Sequence, residues 1–173
     1  MNIVFTSEAI NSMFFPVEFL FWGFIIAYVI HILEESVLPE VFVEKVKKNF
    51  FPAYSWRKFV GFNTFLLILN VAAVIVFDLA GGKWIIFPLC LAIERTLNGF
   101  WHLGETIVRR KFSTGLLASV ITWILMYLLI RYSLLKGAIL PADFVTALII
   151  GTIITIVMFG TLFVTRAKTM HAK

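Results

Sequence analysis

Charge is what this chain has least of: Asp, Glu, Lys and Arg make up 14% of it, against 61% hydrophobic residues and 16% aromatics. A soluble domain carries roughly 25% charged and 45 to 50% apolar residues, so an ordinary water-facing fold is excluded. Cysteine is nearly absent. The single thiol, Cys90, sits in an apolar run, which excludes a disulfide framework and reads as an inert small hydrophobe. Lys and Arg are missing from the first eleven residues, so the basic start of a cleavable signal is not there and the first apolar stretch is expected to be retained.

What the chain does have is long apolar stretches. Five of them approach the roughly 20 helical residues that cross a hydrocarbon core of about 30 Å: Met13 to Glu35, Val60 to Ala80, Trp84 to Glu105, Gly115 to Leu135 and Asp143 to Thr165. Breaks fall at Pro39, at Gly81 and Gly82, and at Gly137 and Pro141, where turn chemistry predicts them. The expected fold is an all-α integral membrane helical bundle, one transmembrane domain over residues 1–173. The third span is the least obvious, because Glu94, Arg95, Asn98, His102 and Glu105 interrupt it.

Basic residues orient the bundle, since cytoplasmic loops retain Lys and Arg. Lys45, Lys47, Lys48, Arg57 and Lys58 follow span one, Arg109, Arg110 and Lys111 follow span three, and Arg166, Lys168 and Lys173 form the tail. The other side has only Lys83, Arg131 and Lys136. A multi-pass protein of the cell (inner) membrane is expected, N-terminus outside and C-terminus cytoplasmic. These loops account for the net charge of +5, and nothing points to nucleic acid. Between spans one and two, Leu38, Val41, Phe42, Val46 and Phe50 recur at helical spacing opposite three lysines. That pattern predicts an amphipathic helix over about residues 38–51 on the cytoplasmic surface, an anchor or, with Trp56, a roof.

Histidine is scarce too, and two of the three histidines carry an acidic residue one turn later: His31-Ile-Leu-Glu34-Glu35 and His102-Leu-Gly-Glu105. The third, His171, lies in the polar tail. Spans one and three run the same way, so both motifs come to one depth near the cytoplasmic edge. Asn63, early in span two, is level with them. Glu94, Asn98, His102 and Glu105 share one face of span three. Glu34 and Glu35 point about 100° apart, so one shares the His31 face and the other is free for a neighbouring helix or a second metal.

Imidazole and carboxylate one turn apart on two helices is metal-ligand geometry, like the Glu-x-x-His pairs of two-metal helical bundles. The candidate ligands are His31, Glu34, Glu35, His102 and Glu105, with Asn63 and Asn98 behind them. Zinc on two His and one Glu, with an open position, would lower the pKa of bound water to about 7. A second carboxylate would then act as base, and Glu35 and Glu105 are the catalytic candidates. A di-iron or manganese pair would instead support oxidation, and imidazole tolerates either choice; zinc is favoured. Glu94 stands too far along the axis to be a ligand, so Glu94 and Arg95 read as a structural ion pair, each partnered across to another span, or as a substrate anion site.

These blocks resemble the HXXEE family of small multi-span membrane proteins, whose signature stands here as His31-Ile-Leu-Glu34-Glu35. The likeness extends to Asn98-Gly-Phe-Trp-His102-Leu-Gly-Glu105 and, more loosely, to Arg57 to Asn63. It implies a multi-span membrane protein with a metal site and no settled activity. The family's segment after the second block looks like Tyr-Ser-Pro-Gly, where this chain has Phe112-Ser113-Thr114-Gly115; the departure leaves the ligands untouched.

The leading expectation is a metal-dependent membrane enzyme, hydrolase before oxidase, acting on a lipidic or amphipathic small molecule that partitions into the bilayer. A proton- or cation-coupled transporter or channel is the alternative, and a non-catalytic scaffold the third. Small-residue stripes, Ala147-Gly151-Thr155 and Thr114-Ala118-Thr122, allow close helix approach within the bundle or in a homodimer.

Overall fold

The structure is a computed structural model that describes residues 17–38 and 42–171. The expected helix start at Met13, the break at Pro39, and Val41 lie outside the described residues, as does the His171 side chain. Among the described residues the chain is all helix and turn, without strand. The helices are α1 (Val17–Val37), α2 (Phe42–Asn49), α3 (Trp56–Ala80), α4 (Ile86–Arg109), α5 (Leu116–Lys136) and α6 (Pro141–His171), with a short 3-10 turn, Gly82–Ile85, before α4.

Helix ends follow local chemistry and not hydropathy, which is why they overrun the expected spans. α3 begins four residues before Val60 because Ser55 caps it, its hydroxyl accepting from the Lys58 amide at 3.4 Å; Arg57 and Lys58 had hidden that turn from a hydropathy reading. α6 starts on Pro141, whose missing N–H is no loss in a first turn, and runs through its basic end. Four helices are long and apolar enough to cross a membrane: Val17–Val37, Trp56–Ala80, Leu116–Ser133 and Pro141–Lys168. The expected third span has the length, 24 residues in α4, but not the composition.

The place of α4 in the fold explains its polarity. It packs against α1, α3, α5 and α6, so its polar face meets protein and not hydrocarbon. Close approach depends on two glycines. A Cβ on Gly99 would stand 2.9 Å from Ser119 and Trp123 of α5, and one on Gly151 would stand 2.6 Å from the Cys90 carbonyl of α4. The stripe at Ala147 and Gly151 is thus spent on α4 inside the fold, and Ala118 and Thr122 are likewise buried.

The two ends of the bundle differ. Towards the Gly81–Gly82 turn, Phe21, Phe24, Val74, Phe77, Leu89 and Leu129 form a closed apolar cluster. Towards the α2 end, the buried residues include His31, Glu34, Glu35, Asn63, Asn98 and His102. Outward, large apolar side chains such as Phe65, Ile68, Leu79 and Ile156 are exposed. A surface of that kind is stable against lipid and not against water.

Candidate metal centre

α1 and α4 each bring one histidine to the same layer. The His31 and His102 rings lie edge to face, centroids 5.0 Å apart. Glu35, four residues after His31, puts Oε1 3.5 Å from His31 Nε2 and 3.8 Å from His102 Nε2. One ligand atom from each of the three lies within 4.8 Å of the others, and all three residues are buried. A tetrahedral zinc with bonds of about 2.0 to 2.1 Å needs ligand atoms roughly 3.4 Å apart, so the two distances to Glu35 need to close by only tenths of an ångström, and the two imidazoles, within 4.8 Å of each other, by up to about 1.4 Å.

His102 is supported from outside the triad. Ser113, in the turn after α4, donates its one hydroxyl proton to Glu105 Oε2 at 2.5 Å. In that orientation its oxygen is placed to accept from His102 Nδ1, 3.2 Å away. In the tautomer with the proton on Nδ1, Nε2 turns a lone pair towards Glu35. Two acceptors facing each other at 3.8 Å, too far for a hydrogen bond, make a place for a cation. A metal-ligating histidine commonly donates its other N–H to an oriented oxygen, and Ser113 with Glu105 behind it provides that here.

The other expected ligands go elsewhere. Glu34 points away from His31, and its oxygens accept from the Leu117 and Ala118 amides at 3.2 and 3.0 Å. A carboxylate from α1 therefore caps α5, satisfying orphan N–H groups at the positive end of the helix dipole. Glu105 is held by Lys45 at 2.7 Å, Arg109 at 3.2 Å and Ser113. The geometry brings together His31, Glu35 and His102, and leaves Glu34 and Glu105 outside that group. Asn63 accepts from the Tyr28 hydroxyl at 2.7 Å and donates to the Phe59 carbonyl; Asn98 is buried and lines the cavity beside the triad.

Glu94 and Arg95 do not pair across to other spans as expected. They pair with each other, Arg95 Nε to Glu94 Oε2 and Nη2 to Oε1. Adjacent helical residues do not face one another, but the arginine stem is long enough to fold back and present its fork to both oxygens. Its guanidinium also lies 4.8 Å from the Tyr28 ring centre of α1, so the pair still ties α4 to α1.

Two contributors escape a reading of spacing alone, Ser113 and Gly115. Gly115 has φ of 99°, open to glycine and strained for other residues. A Cβ there would lie 2.6 Å from His102 Cε1 and 2.7 Å from His31 Cε1. Next to it, the buried Thr114 hydroxyl has no hydrogen-bond partner among the described residues, a condition that costs about 1 to 3 kcal/mol unless the site supplies one. Both positions lie in the segment whose Ser and Gly match the family pattern, and that match was the available signal.

The triad opens on a cavity of about 620 Å³, within the range of small-molecule sites. α2 is its roof: Phe42, Lys45 and Val46 line it, with Phe50 and Tyr54 from the following loop. Phe50 reaches Trp101 and Phe163 at 6.1 and 5.7 Å, joining the roof to α4 and α6. Burial pushes the Tyr54 hydroxyl up to about 12, with the Glu35 charge adding to it.

A family model described as a protein of unknown function with HXXEE motif matches residues 22–130, which include the triad, Ser113 and Gly115. None of the curated proteins and none of the solved structures matches the chain.

Proposed function

The chain belongs to the HXXEE family, and from that premise we propose that it is a metal-dependent integral membrane enzyme with one metal on His31, Glu35 and His102. One observation carries this reading: two imidazoles and a carboxylate bring ligand atoms within 4.8 Å of one another, with Ser113 placed to accept from His102 Nδ1 and so leave its Nε2 lone pair to Glu35. Two His and one Glu with a free fourth position is a catalytic zinc donor set, which supplies a water acidified to a pKa of about 7. Asn98 offers an amide that can donate to a polarised substrate oxygen. Engagement of Glu34 and Glu105 by other partners favours one metal over two, and with it hydrolysis over di-iron oxidation.

α4 is the fifth span in this reading, its charges shielded by the four helices around it. The α2 end, with Lys45, Lys47, Lys48, Arg57, Lys58 and Arg109 to Lys111, faces the cytoplasm of the cell membrane, the N-terminus lying outside. The transporter reading finds less support, because the polar residues give way above Glu94 and Arg95 to the apolar cluster of Phe21, Phe77 and Leu89.

Elemental analysis of the detergent-purified full chain tests the reading. About one zinc per chain is expected, lost in His31→Ala and His102→Ala variants that still elute as folded protein. Wild-type metal content in both variants, or no stoichiometric metal in the parent, overturns it.

A further inference from the structure

The cavity meets its surroundings sideways. α4 packs on both α3 and α6, yet α3 and α6 make at most marginal contact with each other. Phe62 of α3 and Leu162 of α6 both line the space between them. From Arg95 to Arg109 the lining extends about 21 Å along α4 at 1.5 Å per residue, the scale of an acyl chain. The roof bridges its end through Phe50 and Phe163, so the passage left faces the hydrocarbon.

The rim beneath the roof has an excess of positive charge. Lys45 and Arg109 share one carboxylate, Glu105. Lys58 has none among the described residues: its ammonium donates to the Ala53 carbonyl at 2.8 Å and sits 4.3 Å from the Phe51 ring centre. It lines the cavity, and no carboxylate among the described residues pairs with it. Aromatic walls below, a surplus cation at the rim and a side opening to lipid together describe an amphiphile by its parts.

We infer that the cavity admits a membrane amphiphile with an anionic head, entering between α3 and α6, its head beside Lys58 and its chain along Trp101 and Leu162. This deepens the proposed function by naming the substrate class, and it rests on the same site, but head recognition and side entry do not require the metal.

The test uses the full chain in nanodiscs of phosphatidylcholine doped with phosphatidylglycerol, either lipid bearing a diazirine in one acyl chain. Labelled peptides are mapped by mass spectrometry, and metal content is read on the same samples. Phosphatidylglycerol is expected to label the cavity-facing side of α3 and α6, around Phe62 and Leu162, in preference to phosphatidylcholine. Lys58→Gln should lower that labelling about fivefold, the ratio one lysine's attraction for an anionic lipid corresponds to, while Arg57→Gln, an equal charge change off the cavity, leaves it unchanged. Leu162→Trp, which fills the passage, should remove cavity labelling with both lipids. Equal labelling by the two lipids, indifference to Lys58→Gln, or label only at outward residues such as Ile156 and Val157 overturns the inference. Cavity labelling in protein without metal would sustain it while the enzyme reading fails; bound metal with no cavity labelling would do the reverse.

Discussion

The hydroxyl of Ser113 lies 3.2 Å from Nδ1 of His102 and donates its own hydrogen bond to Glu105. This contact supports the tautomer with the proton on Nδ1 from outside the triad. Ser113→Ala removes the acceptor and leaves the ring free to rotate or change tautomer. Loss of such a supporting contact typically weakens metal binding 10- to 100-fold. Zinc titration against a competing chelator should show a weakening of that size, with the helical content by circular dichroism unchanged.

Glu34 and Glu35 should separate cleanly under substitution. Glu34→Gln removes a charge from the α5 N-terminus and turns an amide donor towards backbone donors, a loss of about 1 to 2 kcal/mol by the scale of helix caps. Its melting temperature in detergent should fall while its metal content stays. Glu35→Gln should lose the metal, and in metal-free protein its melting temperature should hold, because no hydrogen-bonded partner is given up.

How far spacing alone reaches is visible in these residues. The His-x-x-Glu repeat puts both imidazoles at one depth when their spans run the same way, a condition for a shared site that the packing of α1 on α4 then meets, with ring centres 5.0 Å apart. It does not sort the carboxylates, since the two motifs are not used alike. His31 lies beside Glu35 at the fourth position, and Glu105 pairs with Lys45 and Ser113 and lies outside the His31, Glu35 and His102 group. Those partners come from the roof and from a turn, and such tertiary contacts leave no periodic trace. Apolar length alone marks the four helices long and apolar enough to cross a membrane, whereas the starts of α3 and α6 are set by Ser55 and Pro141, single residues that a hydropathy window averages away.

Gly115→Ala should damage the site without touching a ligand. A Cβ at 2.6 to 2.8 Å from both imidazoles must push at least one aside, and the backbone at φ 99° adds strain of about 1 to 2 kcal/mol for any L side chain. Metal affinity should drop by at least about tenfold, the factor that 1.4 kcal/mol represents, and isothermal titration of zinc into metal-free protein measures it. Ala at Gly104, where nothing lies within 4 Å of the added atom, should leave binding intact.

Lys45 pins the roof. Its ammonium and the Glu105 carboxylate are both about nine-tenths buried, and removing one partner of such a pair leaves the other short of charge. Arg109 still compensates Glu105 at 3.2 Å, so Lys45→Met should cost about 2 kcal/mol, below the 3 to 5 kcal/mol of an uncompensated buried charge. Hydrogen exchange should quicken first in Phe42–Asn49, because α2 packs only lightly on α1 and loses its strongest tether. A variant that exchanges as slowly as the parent there would show that Val43 and Val46, both buried, suffice to hold it.

The same roof should loosen at high pH. Tyr54 keeps its proton to about 12 in the fold, where burial disfavours the phenolate, against 10.0 for the free side chain. Between those two values the folded state therefore binds more protons than the unfolded one, so stability falls as pH rises and is unaffected below about pH 9. The sign is opposite to that of a salt-bridged carboxylate, which fails in acid. Tyr54→Phe keeps the ring against Phe42 and Phe51 but has no proton to lose. Melting curves taken in detergent from pH 9 to 12 should show the parent falling more steeply than the variant. Parallel curves would mean that the Tyr54 hydroxyl ionises in the fold as easily as in water, and that the roof does not exclude solvent from the cavity beneath it.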